Sequence, residues 1–271
     1  MKRFFALCLL AAAAVSCNDN DKTPDSPVNN TPATGIPAPA SISFSIISEF
    51  PHDTSAYTQG LELYKGKMYE ATGDYKNSTL RITDYKTGKV EQKHAMGTDD
   101  IFGEGITILN GKLYQLTWES NIAYVYDVNN INKPIKTFNW PNEGWGITNN
   151  GTDLIISDGT SNIYFVSPDS FTIKSTISIQ TDKGPVDNLN ELEYVNGFIY
   201  ANVYQTNIIV KIDPKTGNIV GRLDFPETIQ AGEKAKNARA DVLNGIAYDS
   251  TSKSFFITGK RWSKMFEVKM N

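Results

Sequence analysis

From Ser41 onward the chain alternates apolar and polar residues in short runs separated by tight polar turns. The alternation has a period of two and is rich in Tyr, Thr, Ile, Val and Phe, which predicts antiparallel strands. The breaks are Asn-Gly, Lys-Gly and Thr-Gly pairs, which suit tight turns needing a positive φ. Five segments repeat the pattern: QGLELYKGKMYEATG from Gln59, EGITILNGKLYQLTW from Glu104, WGITNNGTDLIISDG from Trp145, NELEYVNGFIYANVY from Asn190 and NGIAYDSTSKSFFITGK from Asn244. Each reads as strand, turn, strand. The first four are 15 residues long, the fifth has two extra residues in its turn, and the starts lie 45, 41, 45 and 54 residues apart.

A second hairpin follows the first in each of the first four units. Its turn is clear at residues 84–88 and 213–217, and looser at Asp127-Val128-Asn129 and Ser167-Pro168-Asp169. A unit is therefore four strands in about 45 residues, the size of a propeller blade. The fifth unit has room for only three strands, the last at residues 265–269. Residues 41–50 are expected to supply the fourth and so pair the two ends of the chain, which removes an exposed edge. The expected fold is all-β, a five-bladed β-propeller over residues 41–271 closed by an N-terminal strand.

The residues before it follow a different pattern. Met1-Lys2-Arg3 is a charged start, residues 4–15 are apolar, and Ala14-Val15-Ser16-Cys17 has the small-residue character of a cleavage site. This reads as a signal peptide over residues 1–16 with lipidation at Cys17, the bacterial lipoprotein pattern; the run is too short to span a bilayer. Residues 17–40 hold few large apolar side chains and are expected to form a flexible tether. The expected location is an exported lipoprotein on the periplasmic or cell-surface face of a membrane, held by its lipid anchor only.

Composition narrows the chemistry. Of 271 residues only two are cysteine, both before the expected propeller, and two are histidine. A disulfide framework, a Cys-ligated zinc, a thiol nucleophile and a three-His metal site are excluded for the folded part. The formal net charge is -4, and becomes -6 once Lys2 and Arg3 leave with the leader. No basic run remains, so nucleic-acid binding is not expected.

The repeat also nominates a site. The first strand of every blade lines the axis, so the opening residues Gln59, Glu104, Trp145, Asn190 and Asn244 are expected to converge on the central channel. Their partners at the end of the second strand are Gly73, Trp118, Gly159, Tyr204 and Lys260. Together they read as a concave pocket with one carboxylate, one ammonium, several amides and aromatic walls. Two readings follow: a ligand or substrate site in the channel, or a scaffold whose channel is plugged by aromatic residues.

The motifs around these positions resemble a known family. They are Tyr57-Thr58-Gln59-Gly60-Leu61-Glu62, Phe102-Gly103-Glu104-Gly105, Glu143-Gly144-Trp145-Gly146, Asn190-Glu191-Leu192-Glu193-Tyr194, Leu243-Asn244-Gly245-Ile246-Ala247 and Thr258-Gly259-Lys260. Together they are similar to the glutamine cyclotransferases of the plant-latex and bacterial type. The resemblance implies conversion of N-terminal glutamine of peptides or proteins to pyroglutamate with loss of ammonia, without a metal or other cofactor; a monomer is expected. It implies Glu104 as proton shuttle and Lys260 as a second catalytic group stabilising the carboxamide oxygen. It places Gln59, Asn190, Asn244, Trp118, Trp145, Tyr204, Tyr57 and Phe102 around the substrate. The chain departs from the family pattern at Tyr204, where Trp is usual, at Asn207, where Asp is common, and at Tyr57, where Phe is usual. Two other classes stay open: a propeller lactonase or related hydrolase, with Glu104, Asn190 and Asn244 as part of a metal-binding set, and a non-catalytic binding propeller.

Overall fold

The structure is a computed structural model that describes residues 35–96 and 98–271. The expected leader, the lipidated Cys17 and most of the tether lie outside the described residues. Five antiparallel sheets form the blades of a propeller. The inner strands are Thr58–Tyr64, Gly103–Leu109, Ile147–Asn149, Leu189–Val195 and Leu243–Asp249. Each pairs with the strand after its tight turn, as the repeat predicts. At Lys65-Gly66, Asn110-Gly111 and Asn196-Gly197 both turn residues have positive φ. That backbone matches the strand twist in a two-residue hairpin, which is why these pairs recur.

The core lies between blades. Five apolar clusters among the described residues occupy the five blade interfaces. Leu80 and Ile106 join the first two blades, Leu116 and Ile156 the next pair, and Ile155 and Leu192 the third and fourth. Leu223 and Ile257 join the last two, and Leu61 and Phe256 close the circle. The middle strands are covered on both sides by neighbouring blades. An outermost strand such as Ile173–Ser178 is largely exposed.

Phe44–Pro51 pairs antiparallel with Lys264–Met270 and completes the fifth blade, as expected. The expected single strand over residues 41–50 is, however, divided. Ala40–Ser41 instead pairs in parallel with Gly221 and Arg222 on the outer edge of the fourth blade. The chain therefore leaves one blade edge and enters the next, and ordered pairing begins at residue 40 rather than 41. The helix Glu227–Lys236, absent from the sequence reading, occupies the longest interval between units. Its Glu233 is buried and accepts the backbone N–H and hydroxyl of Ser263.

The inner strands carry the feature that builds the site. Four of them break register at equivalent places, between Thr58 and Gly60, Gly103 and Ile106, Leu189 and Leu192, and Leu243 and Ile246. A bulge inserts an extra residue and re-aims its side chain. Gln59, Glu104, Asn190 and Asn244 all stand in these bulges. Next to them the blades approach backbone to backbone: a Cβ on Gly105 would lie 2.7 Å from the Trp145 carbonyl, and one on Gly146 would lie 2.0 Å from the Asn190 carbonyl. In the fourth unit Glu191 stands where the other four have glycine. Its carboxylate accepts the N–H groups of Leu61 and Ile246, at 3.1 and 2.8 Å, and so ties three inner strands together.

Candidate active site

The bulges deliver their side chains to a cavity of about 210 Å³ at one end of the channel. Gln59, Glu104 and Asn190 supply its polar surface, and Tyr57, Phe102, Trp118, Trp145 and Tyr204 its walls. The expectation of a plugged channel does not describe this end. The rings border a concavity: Phe102 meets Tyr57 and Trp118 edge to face, and Trp145 meets Tyr204 at 5.6 Å and 87°.

Two predicted residues stand elsewhere. Lys260 and Asn244 are fully buried and do not line the cavity; both lie behind Gln59. The Lys260 ammonium donates to the Gln59 side-chain oxygen and, at 3.1 Å, to the Thr58 carbonyl. Asn244 donates to the same two oxygens, at 3.3 and 3.0 Å. An ammonium only donates, so it claims the Gln59 oxygen and turns the amide N–H2 towards the cavity. That amide donates to Glu104 Oε1 at 2.7 Å. Lys260 therefore acts through Gln59. Its ammonium is engaged by Gln59 and Thr58 and does not face the cavity, where the sequence reading expected it.

Electrostatics follow from burial. Burial drives the Glu104 carboxyl well above the usual carboxylate range; Lys260 and the Gln59 hydrogen bond oppose this, and Glu143 adds to it. Burial also lowers the Lys260 ammonium to about 8, with Glu104 and Asp241 opposing. Desolvation thus outweighs the mutual attraction of the pair, a balance that sequence left open. Asn190 keeps its side-chain oxygen buried without a hydrogen-bond partner in the protein. An acceptor left open in a cavity wall is available to a donor on a bound molecule.

The two glycines at the ends of second strands, Gly73 and Gly159, do not open space in the cavity. A Cβ on Gly73 would lie 2.2 Å from the Phe102 ring, and one on Gly159 would lie 2.5 Å from the Trp145 ring. Their lack of a side chain lets those rings approach the backbone closely. Three functional neighbours escaped the sequence reading. Glu143 accepts the indole N–H of Trp118 at 2.7 Å and of Trp145 at 2.9 Å. Asp241 accepts the Tyr57 hydroxyl at 3.3 Å. Tyr75, 40% exposed, packs on Phe102 and Trp118. Glu143 had a signal, since it opens the motif around Trp145; Asp241 and Tyr75 had none in the repeat.

The metal-binding set of the hydrolase reading is not assembled. Asn244 is turned away into its bonds with Gln59 and Thr58. Among the described residues no three His, Cys, Asp or Glu side chains are grouped as metal ligands.

Comparison with known proteins agrees with the geometry. The family described as glutamine cyclotransferase matches residues 9–270. A glutaminyl-peptide cyclotransferase of Arabidopsis thaliana is 39% identical over 228 residues, covering 83% of this chain and 70% of the plant protein. The crystal structure of Myxococcus xanthus glutaminyl cyclase superposes with a TM-score of 0.78 at 33% identity, covering 86% of this chain and 98% of that one.

Proposed function

The chain belongs to the glutamine cyclotransferase family, and from that premise we propose that its cavity converts the N-terminal glutamine of peptides to pyroglutamate, with Glu104 carrying the proton. The α-amine attacks its own side-chain carboxamide carbon. A C–N bond closes the lactam, the carboxamide C–N bond breaks, and ammonia leaves. Nucleophile and electrophile share one residue, so the enzyme's work is to fold the side chain back and move one proton.

The observation that carries this reading is the placement of Glu104. It is one of three polar side chains in an otherwise aromatic cavity, buried and oriented by Gln59. A carboxyl whose affinity for protons is raised by burial can accept the amine's proton and return it to the leaving nitrogen. The open oxygen of Asn190 suits an N–H of the substrate amine. The rings of Trp145, Tyr204 and Phe102 suit the glutamine methylenes and hold water away from the reacting atoms. Lys260 and Asn244 fix the Gln59 oxygen and so fix the hydrogen bond that orients Glu104.

The chemistry is assigned to protein side chains alone, acting in a monomer outside the cytoplasm and held by lipid on Cys17. One assay tests the metal-free chemistry, the face of the membrane and the role of Glu104. A membrane-impermeant peptide beginning with Gln is given to intact cells and to purified protein, with and without chelator. The expected result is a mass loss equal to one ammonia from purified protein with and without chelator, and a drop of about 10³-fold in kcat for Glu104→Gln. Chelator-sensitive turnover would overturn metal independence, and full activity of Glu104→Gln would remove Glu104 from the mechanism; turnover by intact cells would assign the cell-surface face and silence there the periplasmic one.

A further inference from the structure

We propose that Glu143 is a positioning residue for this reaction: its carboxylate fixes the two indole walls of the cavity and sets the field in which Glu104 exchanges its proton. The inference rests on the cyclotransferase reading above.

One oxygen, Glu143 Oε2, accepts both the Trp118 and the Trp145 indole N–H. Hydrogen bonds to an ionised acceptor are about twice as strong as neutral ones. The two indoles come from different blades: Trp118 follows the second strand of the second blade, and Trp145 precedes the third. A single carboxylate thus fixes the distance between two cavity walls that no strand pairing connects. Its own backbone is anchored. The Glu143 carbonyl accepts the indole N–H of Trp140, a fully buried core residue, at 3.0 Å. The next amide, Gly144 N–H, bonds to the carbonyls of Thr117 and Trp118 at 3.2 and 3.1 Å. A Cβ on Gly144 would lie 2.6 Å from the Thr117 carbonyl, so this approach requires glycine there. Three tryptophans therefore converge on one residue held against the core.

The same carboxylate is a charge near the shuttle. The groups that act on Glu104 are Lys260 from the fifth blade, Gln59 and Tyr75 from the first, and Glu143 from the connection between the second and third. Glu143 is the negative charge that counters Lys260. It favours the protonated carboxyl, and so moves the pH at which Glu104 becomes able to accept the amine's proton. Glu143 is exposed, so its influence is screened by salt.

The test compares Glu143→Gln, which keeps an oxygen for the indoles but loses the charge, with Glu143→Ala, which loses both. For Glu143→Gln, the acid limb of the kcat/KM profile for a Gln-peptide should move to lower pH by about half a unit, and by less as salt is raised. Glu143→Ala should show that movement together with a KM increase of about tenfold and altered tryptophan emission. An acid limb in Glu143→Gln that coincides with wild type overturns the electrostatic role. Wild-type KM and emission in Glu143→Ala overturn the clamp. A wild-type protein inactive on every Gln-peptide would overturn the cyclotransferase reading instead.

Discussion

Tyr57 and Tyr204 are far apart in sequence. The structure brings their hydroxyls together. Tyr57 donates to Asp241 at 3.3 Å and has the Tyr204 hydroxyl as a hydrogen-bonding neighbour. Burial first, then Tyr204 and Asp241, raises the Tyr57 phenol further, so it stays a neutral donor at physiological pH. The Lys260 ammonium lies 4.4 Å from the Tyr57 ring centre and 5.7 Å from that of Tyr204. Two aromatic faces thus help to hold a desolvated cation in place. The hydroxyls are expected to work as one unit. Tyr57→Phe and Tyr204→Phe should each raise KM a few-fold, and the double variant should fall short of their product, with a coupling of about 1 kcal/mol. Strict additivity in that cycle would show that the two hydroxyls act separately.

At the scale of the element, the site is a property of inner-strand irregularity. A regular strand would send alternate side chains into the two blade interfaces; the bulges instead aim Gln59, Glu104, Asn190 and Asn244 at the axis. The second strands shape the walls through glycine. Gly73→Ala would drive a methyl group into the Phe102 ring, because Gly73 is the surface on which that ring lies. The ring's way out is towards the cavity. We expect a KM rise of about tenfold, with a melting temperature only a few degrees lower; unchanged kinetics would show that Phe102 moves elsewhere. Positions with a repeat partner were legible in the sequence, because equivalent places in successive units must lie at one depth around the axis. That reasoning found six of the eight residues that border the cavity; Tyr57 and Phe102 came instead from motif resemblance. It misjudged Lys260 and Asn244, since spacing gives a depth and not the direction of a long side chain. Asp241 and Tyr75 lie on connections with no counterpart in the other units, so no periodicity announced them.

The whole molecule is a closed ring with a polar interior, and that interior makes stability depend on pH. Beyond the cavity, Glu62, Glu191 and Glu193 are gathered near the axis. Burial raises all three carboxyls, and Glu62 reaches about 7; Glu62 also repels Glu191 and Glu193, while the Leu61 and Ile246 N–H groups partly offset the rise at Glu191. A carboxyl that holds its proton more tightly when folded favours the native state at low pH. That contribution is complete below the ordinary value near 4.5 and is lost as pH rises through the folded value. His52 adds the same sign: burial lowers it, but Glu70, the Trp262 carbonyl and Asp53 together outweigh burial and raise it, so its support is also lost as pH rises. The melting temperature should therefore fall between about pH 5 and pH 8, and fall less steeply in Glu62→Gln. A melting temperature that rises across this window would refute the assignment.

The sequence by itself determined the five repeats, the closure of the ring by its ends and the ring of polar and aromatic residues at the axis. Each of these depends on spacing along one chain, and spacing survives in a string of letters. Only the tertiary structure decided that Lys260 works through Gln59, that one carboxylate holds two indoles, and that the N-terminal strand divides between two blades. Those are meetings between residues of different blades. Side-chain direction and burial, rather than period, settle which partner each polar atom finds.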